Sequence, residues 1–251
     1  MHFSLIQPRP NETRAAAFER SRGAYEEHQW LWERFFLAPR GTPRDFLFRR
    51  IDSGVAARFY AVSERPPRTD VPGWEVKPIH YAPKVSIGER LRFDLRANPV
   101  ITRSGEVRPN ADDSVKQRDK GTEGRAARHK IVRHDVVMDA KKRLLAERGI
   151  ARWSDWNDPD KPALYALVHE ACGRWLVAAG GNRGFSVDEA TLSVDAYTQH
   201  RGKDQTLRFS SVDFSGELTV LDPTRFVTAL TQGIGHAKAF GCGLLLVRRM
   251  S

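Results

Sequence analysis

Residues 90 to 100, RLRFDLRANPV, set Leu91, Phe93 and Leu95 on one side of an extended chain and charged residues on the other, until Pro99 ends the run. That alternation fits a strand with one face on a core and does not fit a helix. The same pattern recurs in HFSLI near the start, in RDFLFRRI (44–51) and in ARFYAVS (57–63), with Asp52, Ser53 and Gly54 as a hairpin signal between the last two. WEVKPIH follows as a further strand. A different period governs RAAAFERSRGAYEEHQWLWERFF, where Tyr25, His28, Leu31 or Trp32, and Phe35 share one helical face. VSIGE leaves room for little more than a short second helix or a turn. Strand, helix, strands, irregular piece and strand is the ferredoxin-like plan, an antiparallel sheet backed by helices on one face.

The second half reads the same way in outline, without a repeat at the level of residues. DVVMDAKKRLLAERG (135–149) is a helical patch ended by Gly149, and ALYALVHEACGRWLVAAGG (163–181) is a helix closed by Gly180 and Gly181. Two strands, FSVDEATLSVDAYTQH and TLRFSSVDFSGELTV, precede a helix with Asp222 as N-cap and Pro223 at its first position, and GLLLVRR is a last strand. The expected fold class is α+β, with two tandem ferredoxin-like (RRM-like) domains built on antiparallel sheets. Residues 1–102 and 161–251 are the expected domains, and 103–160 the basic arm and linker between them.

Charge narrows the partners. Among 251 residues, 41 Lys and Arg stand against 31 Asp and Glu, a formal net charge of +10. Nucleic acid, anionic membrane and acidic protein all attract such a surface. Residues 114 to 133 hold Lys116, Arg118, Lys120, Arg125, Arg128, Lys130 and Arg133 against Asp119 and Glu123, half of the whole excess. This stretch has no apolar periodicity before Ile131, so it is not a basic amphipathic membrane helix. It is either a mobile arm that tracks a phosphate backbone or a solvated loop. No apolar run approaches the roughly 20 residues that span a bilayer, and MHFSLIQPRP lacks a signal peptide's apolar stretch, which suits a soluble cytoplasmic protein. Cys172 and Cys242 are too few for a disulfide framework or a four-thiolate zinc site.

TQGIGHAKAFGCGLLLV packs Gly233, Gly235, Gly241 and Gly243 between a helix and a strand. It is neither a Walker loop nor a Rossmann fingerprint, since G-x-G-x-x-G fails at Lys238 and the run precedes a strand, so a mononucleotide cofactor is disfavoured. Either its amides and the Lys238 ammonium lie against a phosphate, or its glycines serve tight packing. Tyr25 and His28 stand three apart on one helix face. Histidine takes and gives a proton near neutral pH, which metal-free RNA cleavage requires, yet a lone histidine on a half-apolar face also serves a core. None of the eight histidines has recognisable metal-ligand spacing such as H-E-x-x-H, and no G-x-S-x-G elbow exists.

Five ordered blocks carry a resemblance: YEEHQWLWERFF (25–36), RDFLF (44–48), FDLRANPV (93–100), FSGELTV (214–220) and QGIGHAKAFGCGLLLV (232–247). With them the chain resembles the CasE (Cse-type) CRISPR repeat RNA endoribonucleases of the type I-E Cascade complex. The likeness reaches from the first helix to the last strand and leaves only about 103–160 without a counterpart. It implies a metal-independent cut in precursor CRISPR RNA at the 3′ base of the repeat hairpin, giving a 2′,3′-cyclic phosphate and a 5′-hydroxyl. It also implies retention of the mature RNA stem-loop beside other Cascade subunits, with no cofactor. By the resemblance His28 is the principal proton-transfer residue, Tyr25 orients or stabilises the reacting groups, and Lys238 neutralises charge on the phosphate. The basic hairpin that reaches the stem in the family matches HRGKDQ (200–205), making Arg201 and Lys203 candidates, with Arg96 and the 116–133 cluster as broader phosphate contacts. A solvated loop is the plainer reading of Arg201 and Lys203. Where relatives commonly carry G-I-G-P-A-K, this chain has His236, whose ring either shares proton transfer or, as we favour, only packs. The alternatives are a catalytically silent RNA-binding subunit of a CRISPR assembly and a basic ribosome- or membrane-associated adaptor.

Overall fold

A computed structural model describes residues 1–12, 24–39, 42–43, 45–53, 56–104, 131–201 and 208–250. Lys116, Arg118, Lys120, Arg125, Arg128, Lys130 and Lys203 lie outside the described residues. No described helix is long and apolar enough to cross a membrane.

The first lobe contains β1 (His2–Pro8), α1 (Ala24–Arg34), β2 (Phe46–Ser53), β3 (Ala56–Ser63) and β4 (Trp74–His80). Its antiparallel sheet runs β2-β3-β1-β4. That is the ferredoxin order, and among the described residues no helix stands between β3 and β4. Trp30, Leu31, Phe35 and Phe36 from α1 and the residues after it close over Phe46, Phe48, Phe59 and Trp74. Leu31 and Phe35 follow the predicted helical face. Arg65 holds the chain beyond α1 by pairing with Asp45 and donating to the Phe36 and Leu37 carbonyls. Arg50 of β2 pairs with Glu27 and ties the helix to its sheet.

The second lobe begins earlier than expected. β5 (Arg90–Ala97), assigned from sequence to the unit 1–102, pairs antiparallel with β10 (Arg208–Val220) and β11 (Leu245–Arg249). The order β11-β5-β10-β8, with β8 (Phe185–Val187) beside β9 (Ser193–Arg201) along β10, again matches the ferredoxin plan. The apolar face read in Leu91, Phe93 and Leu95 is genuine, but its core is the one formed with Cys172, Leu176, Phe214 and Phe226. Period alone does not tell which helices a strand meets.

The zone 103–160 is likewise more than a linker. β6 (Val100–Ser104) and β7 (Ile131–Asp135) form a two-stranded ribbon, and α2 (Val136–Arg148) sends Val136, Val137 and Ala140 into the second core. Asp135 caps α2 by accepting from the Val137 and Met138 amides, and Gly149 ends it in the left-handed conformation. α3 (Leu164–Gly181) and α4 (Pro223–Gln232) complete the lobe, α4 capped by Asp222 with Pro223 in its first turn, as its sequence predicts.

The lobes meet through Leu47 and Val62 of the first sheet against Leu244, just before β11 in the second lobe. At the same seam Arg49, with 7% of its side chain exposed, reaches across to Asp94 at 3.4 Å and Asp213 at 3.6 Å. Asp213 is shared with Arg96, which grips it with two hydrogen bonds of 2.8 and 2.7 Å. Burial pulls the Arg49 pKa down while the two carboxylates oppose the shift. Replacing one member of a buried ion pair strands the rest, although here Asp213 keeps Arg96 and Asp94 is half exposed. Arg49→Met should therefore lower unfolding free energy in urea by about 2 kcal/mol, and an unchanged midpoint would contradict this account. Burial also pushes the Cys172 and Cys242 thiols up to about 12. Both should resist an aromatic disulfide reagent at pH 8 in the native protein and react fully in denaturant.

Candidate active site and nucleic-acid surface

His28 sits in the middle of α1, half buried, with its ring stacked on Phe46 at 5.3 Å between centroids and 9° between planes. The Phe48 ring is 6.3 Å away. Tyr25 lies one turn earlier in the same helix. Phe48 in turn packs under the glycine-rich loop, because a Cβ built on Gly241 would lie 3.2 Å from its ring. A continuous line of contacts thus leads from the His28 ring across Phe48 to the loop of the other lobe. α1 itself touches the short 3-10 turn Lys238–Phe240 in that loop. Sequence positions more than two hundred residues apart are thereby brought to one seam.

The loop is shaped by close packing. Gly233, at φ +77°, leaves 2.9 Å between a notional Cβ and the Gly243 carbonyl and the same distance to Leu47 of β2. Gly243, at φ +94°, would place a Cβ 2.9 Å from the Ile234 carbonyl. The two legs are laced by Ile234 N–H to Gly243 O at 2.8 Å, while the Gly243 amide donates to Arg96 O at 2.7 Å and the Gly233 amide to Ala229 O at 2.9 Å. Gly235 lies against Trp175 of α3. Of the two readings open for the four glycines, tight packing is the one their surroundings explain, and the amides of Gly233 and Gly243 are spent within the protein. Ala237 adopts the left-handed conformation at φ +56°, at a cost of order 1 kcal/mol that the loop around it sustains. Next to it, the Lys238 ammonium donates to the Gln232 carbonyl at 2.6 Å, at the C-terminal end of α4 where the helix dipole favours a cation.

His236 is exposed on the same loop. Desolvation, then the nearby charges of Arg133, Lys238 and Arg183, lower its pKa and favour the neutral ring. Arg96, read from sequence as a broad phosphate contact, is instead committed to Asp213, and that pairing holds its pKa up. Arg201 is exposed at the end of β9 and stands directly opposite Arg208 of β10. Like charges in register across a ladder disfavour the pairing unless an anion sits between or above them. The partner of Arg201 could not be read from sequence, since register is set only when the strands pair. Among the described residues no three His, Cys, Asp or Glu side chains converge closely enough to hold a metal ion.

The loop geometry carries a prediction. Gly243→Ala combines a clash with a carbonyl and a disfavoured φ, so it should destabilise the fold by roughly 1–3 kcal/mol in thermal or urea unfolding. Gly88→Ala has a similar φ but open space around its Cβ, and should cost less.

The family model described as CRISPR associated protein matches residues 1–249. The Cascade subunit CasE of Escherichia coli K12 is 26% identical over 228 residues, covering 90% of this chain and 92% of that protein. The CRISPR-associated endoribonuclease Cse3 of Thermus thermophilus is 27% identical over 171 residues, 68% of this chain and 60% of that one. Among solved structures, Thermus thermophilus Cse3 bound to an RNA representing a pre-cleavage complex matches with a TM-score of 0.62 at 22% identity, over 98% of both chains. With two ferredoxin-ordered lobes joined at a glycine-rich seam and a family match along nearly its whole length, the chain belongs to the CRISPR-associated protein family.

Proposed function

We propose that this chain is an endoribonuclease that cuts precursor CRISPR RNA in its repeat, at the base of the hairpin, and stays on the product as a subunit of Cascade. The observation that carries the reading is the seam itself. The helix bearing Tyr25 and His28 packs on the loop bearing Lys238, at the edge of a surface where Arg201 and Arg208 face each other. The relatives' names, a Cascade subunit and an endoribonuclease, point the same way.

The chemistry draws on groups that this seam carries. As the 2′-oxygen loses its proton and bonds to phosphorus, the bond from phosphorus to the 5′-oxygen breaks and that oxygen takes a proton. The products are a 2′,3′-cyclic phosphate and a 5′-hydroxyl. An imidazole can carry one of these protons at neutral pH, a role we give to His28 on the helix packed against the seam, and the other proton is exchanged with water. Tyr25, a turn away, orients the reacting groups. Lys238 leaves its carbonyl partner on a flexible stem to meet the charge that builds on the phosphate. Stem binding falls to Arg201 and Arg208 with Lys203 and the 116–130 cluster, by charge and shape, because the deep major groove of A-form RNA hides its base edges. Arg96 is left out of this set by its bond to Asp213.

Purified protein should cleave a labelled repeat hairpin at one position in the presence of EDTA. His28→Ala should lose roughly 10² to 10⁴ in single-turnover rate while holding the RNA with nearly the parent affinity. Cleavage that requires an added metal ion, or a His28→Ala protein that cuts at the parent rate, would overturn the proposal.

A further inference from the structure

On the far side of the glycine-rich loop lies a cavity of about 490 Å³, between the β6–β7 ribbon, the paired strands β9 and β10, and residues 236–240. Its size is that of a small-molecule site. One wall is a ladder of three parallel rings. His200 stacks on Phe209 at 4.4 Å and 15°, and Phe209 stacks on Phe240 at 4.8 Å and 20°. A hydrogen bond of 2.8 Å between His200 Nε2 and Ser211 Oγ fixes the outer ring.

Around this wall the charge is one-sided. Arg133, Arg201 and Arg208 line the cavity, and His236 stands at its edge. Arg133 and Arg201 are exposed and have no ion-pair partner among the described residues. The only acid among the described lining residues is Asp135, which is fully engaged: it caps α2 and accepts from Tyr197 at 3.1 Å and from Ser210. The end ring of an aromatic ladder beside guanidinium groups without an ion-pair partner is complementary to a base joined to a phosphate. Apolar ligands have no use for the arginines, and a regular duplex is too wide for the space.

We propose that this cavity receives one unpaired nucleotide of the RNA next to its stem, with the base against Phe240, the ladder's ring on the loop, and its phosphate toward Arg133 and Arg201. The inference rests on the RNA-processing reading above and adds what the protein recognises beyond the hairpin. It also gives the departure at His236 a place, as a neutral hydrogen-bonding edge of the pocket rather than a second proton carrier.

Two RNAs separate the possibilities: the repeat hairpin cut flush with its stem, and the same hairpin with its unpaired flanks, both bound to the His28→Ala protein so that neither is consumed. The flanked RNA should bind roughly five- to a hundredfold more tightly. Phe240→Ala should remove most of that advantage and leave affinity for the flush hairpin within about twofold. Since Phe240 also packs in the loop, Arg133→Gln, at an exposed side chain, is the companion variant and should reduce the advantage at an unchanged melting temperature. With 2-aminopurine placed at each unpaired position in turn, one position should be quenched on binding and released from quenching in Phe240→Ala. A flanked-RNA advantage that survives intact in both variants, or quenching at no position, would overturn the pocket while leaving stem recognition standing. Failure of both hairpins to bind at all would overturn the RNA reading and the pocket together.

Discussion

Arg49 is a cation placed where cations are costly, at the buried junction of two sheets, and it stays there because two carboxylates from the opposite lobe meet it. Its Nε and Nη1 hydrogens have no acceptor among the described residues, so the site is held by charge and packing more than by a complete hydrogen-bond set. Such an arrangement is poor as a source of stability and good as a source of register. A hydrophobic seam alone could slide; a guanidinium between Asp94 and Asp213 cannot do so without leaving charge unmatched. Because Asp213 is also gripped by Arg96, and the Arg96 carbonyl takes the Gly243 amide, the same linkage that orients the lobes fixes the root of the glycine-rich loop.

From that root the rest of the candidate site follows. The loop has to lie close to Leu47 and Phe48 on one side and Trp175 on the other, and side chains at its glycine positions would hold those surfaces apart. Its polar cargo, His236 and Lys238, projects from the segment between the glycines. Phe48 is the shared neighbour of a helix in one lobe and a loop in the other. The active centre proposed above is thus a property of the lobe interface, and neither ferredoxin-like unit would hold it alone.

Local signals in the sequence hold in the fold. Gly149 ends α2, Asp222 and Pro223 start α4, and Leu91, Phe93 and Leu95 form a buried strand face, because caps, proline and alternation act over a few residues. What the residues did not disclose was long range. That β5 belongs with β10 and β11, that Arg96 is consumed by Asp213, and that Arg201 meets Arg208 are all matters of pairing across the sheet. The glycine-rich loop stood out by composition, but composition could not separate a phosphate cradle from a packing device, since both need backbone without Cβ. His28 gained meaning from its helical spacing with Tyr25 and from the resemblance. Its contact with Phe46 required the folded chain. The aromatic ladder has no local sequence signal, because His200, Phe209 and Phe240 come from three separate segments.

The place of β5 has a consequence for how such a chain is born. The first lobe can close its sheet as soon as β4 has left the ribosome, since all four strands lie within the first eighty residues. β5 emerges next with an apolar face and two naked edges, and its neighbours are the last long strand and the final one. For most of synthesis the nascent second lobe therefore carries an unfinished sheet, exposed to wrong partners, while a finished lobe hangs beside it. Charge spread densely along the outward side of β5, at Arg90, Arg92 and Asp94, is well suited to keep that waiting strand from pairing with copies of itself.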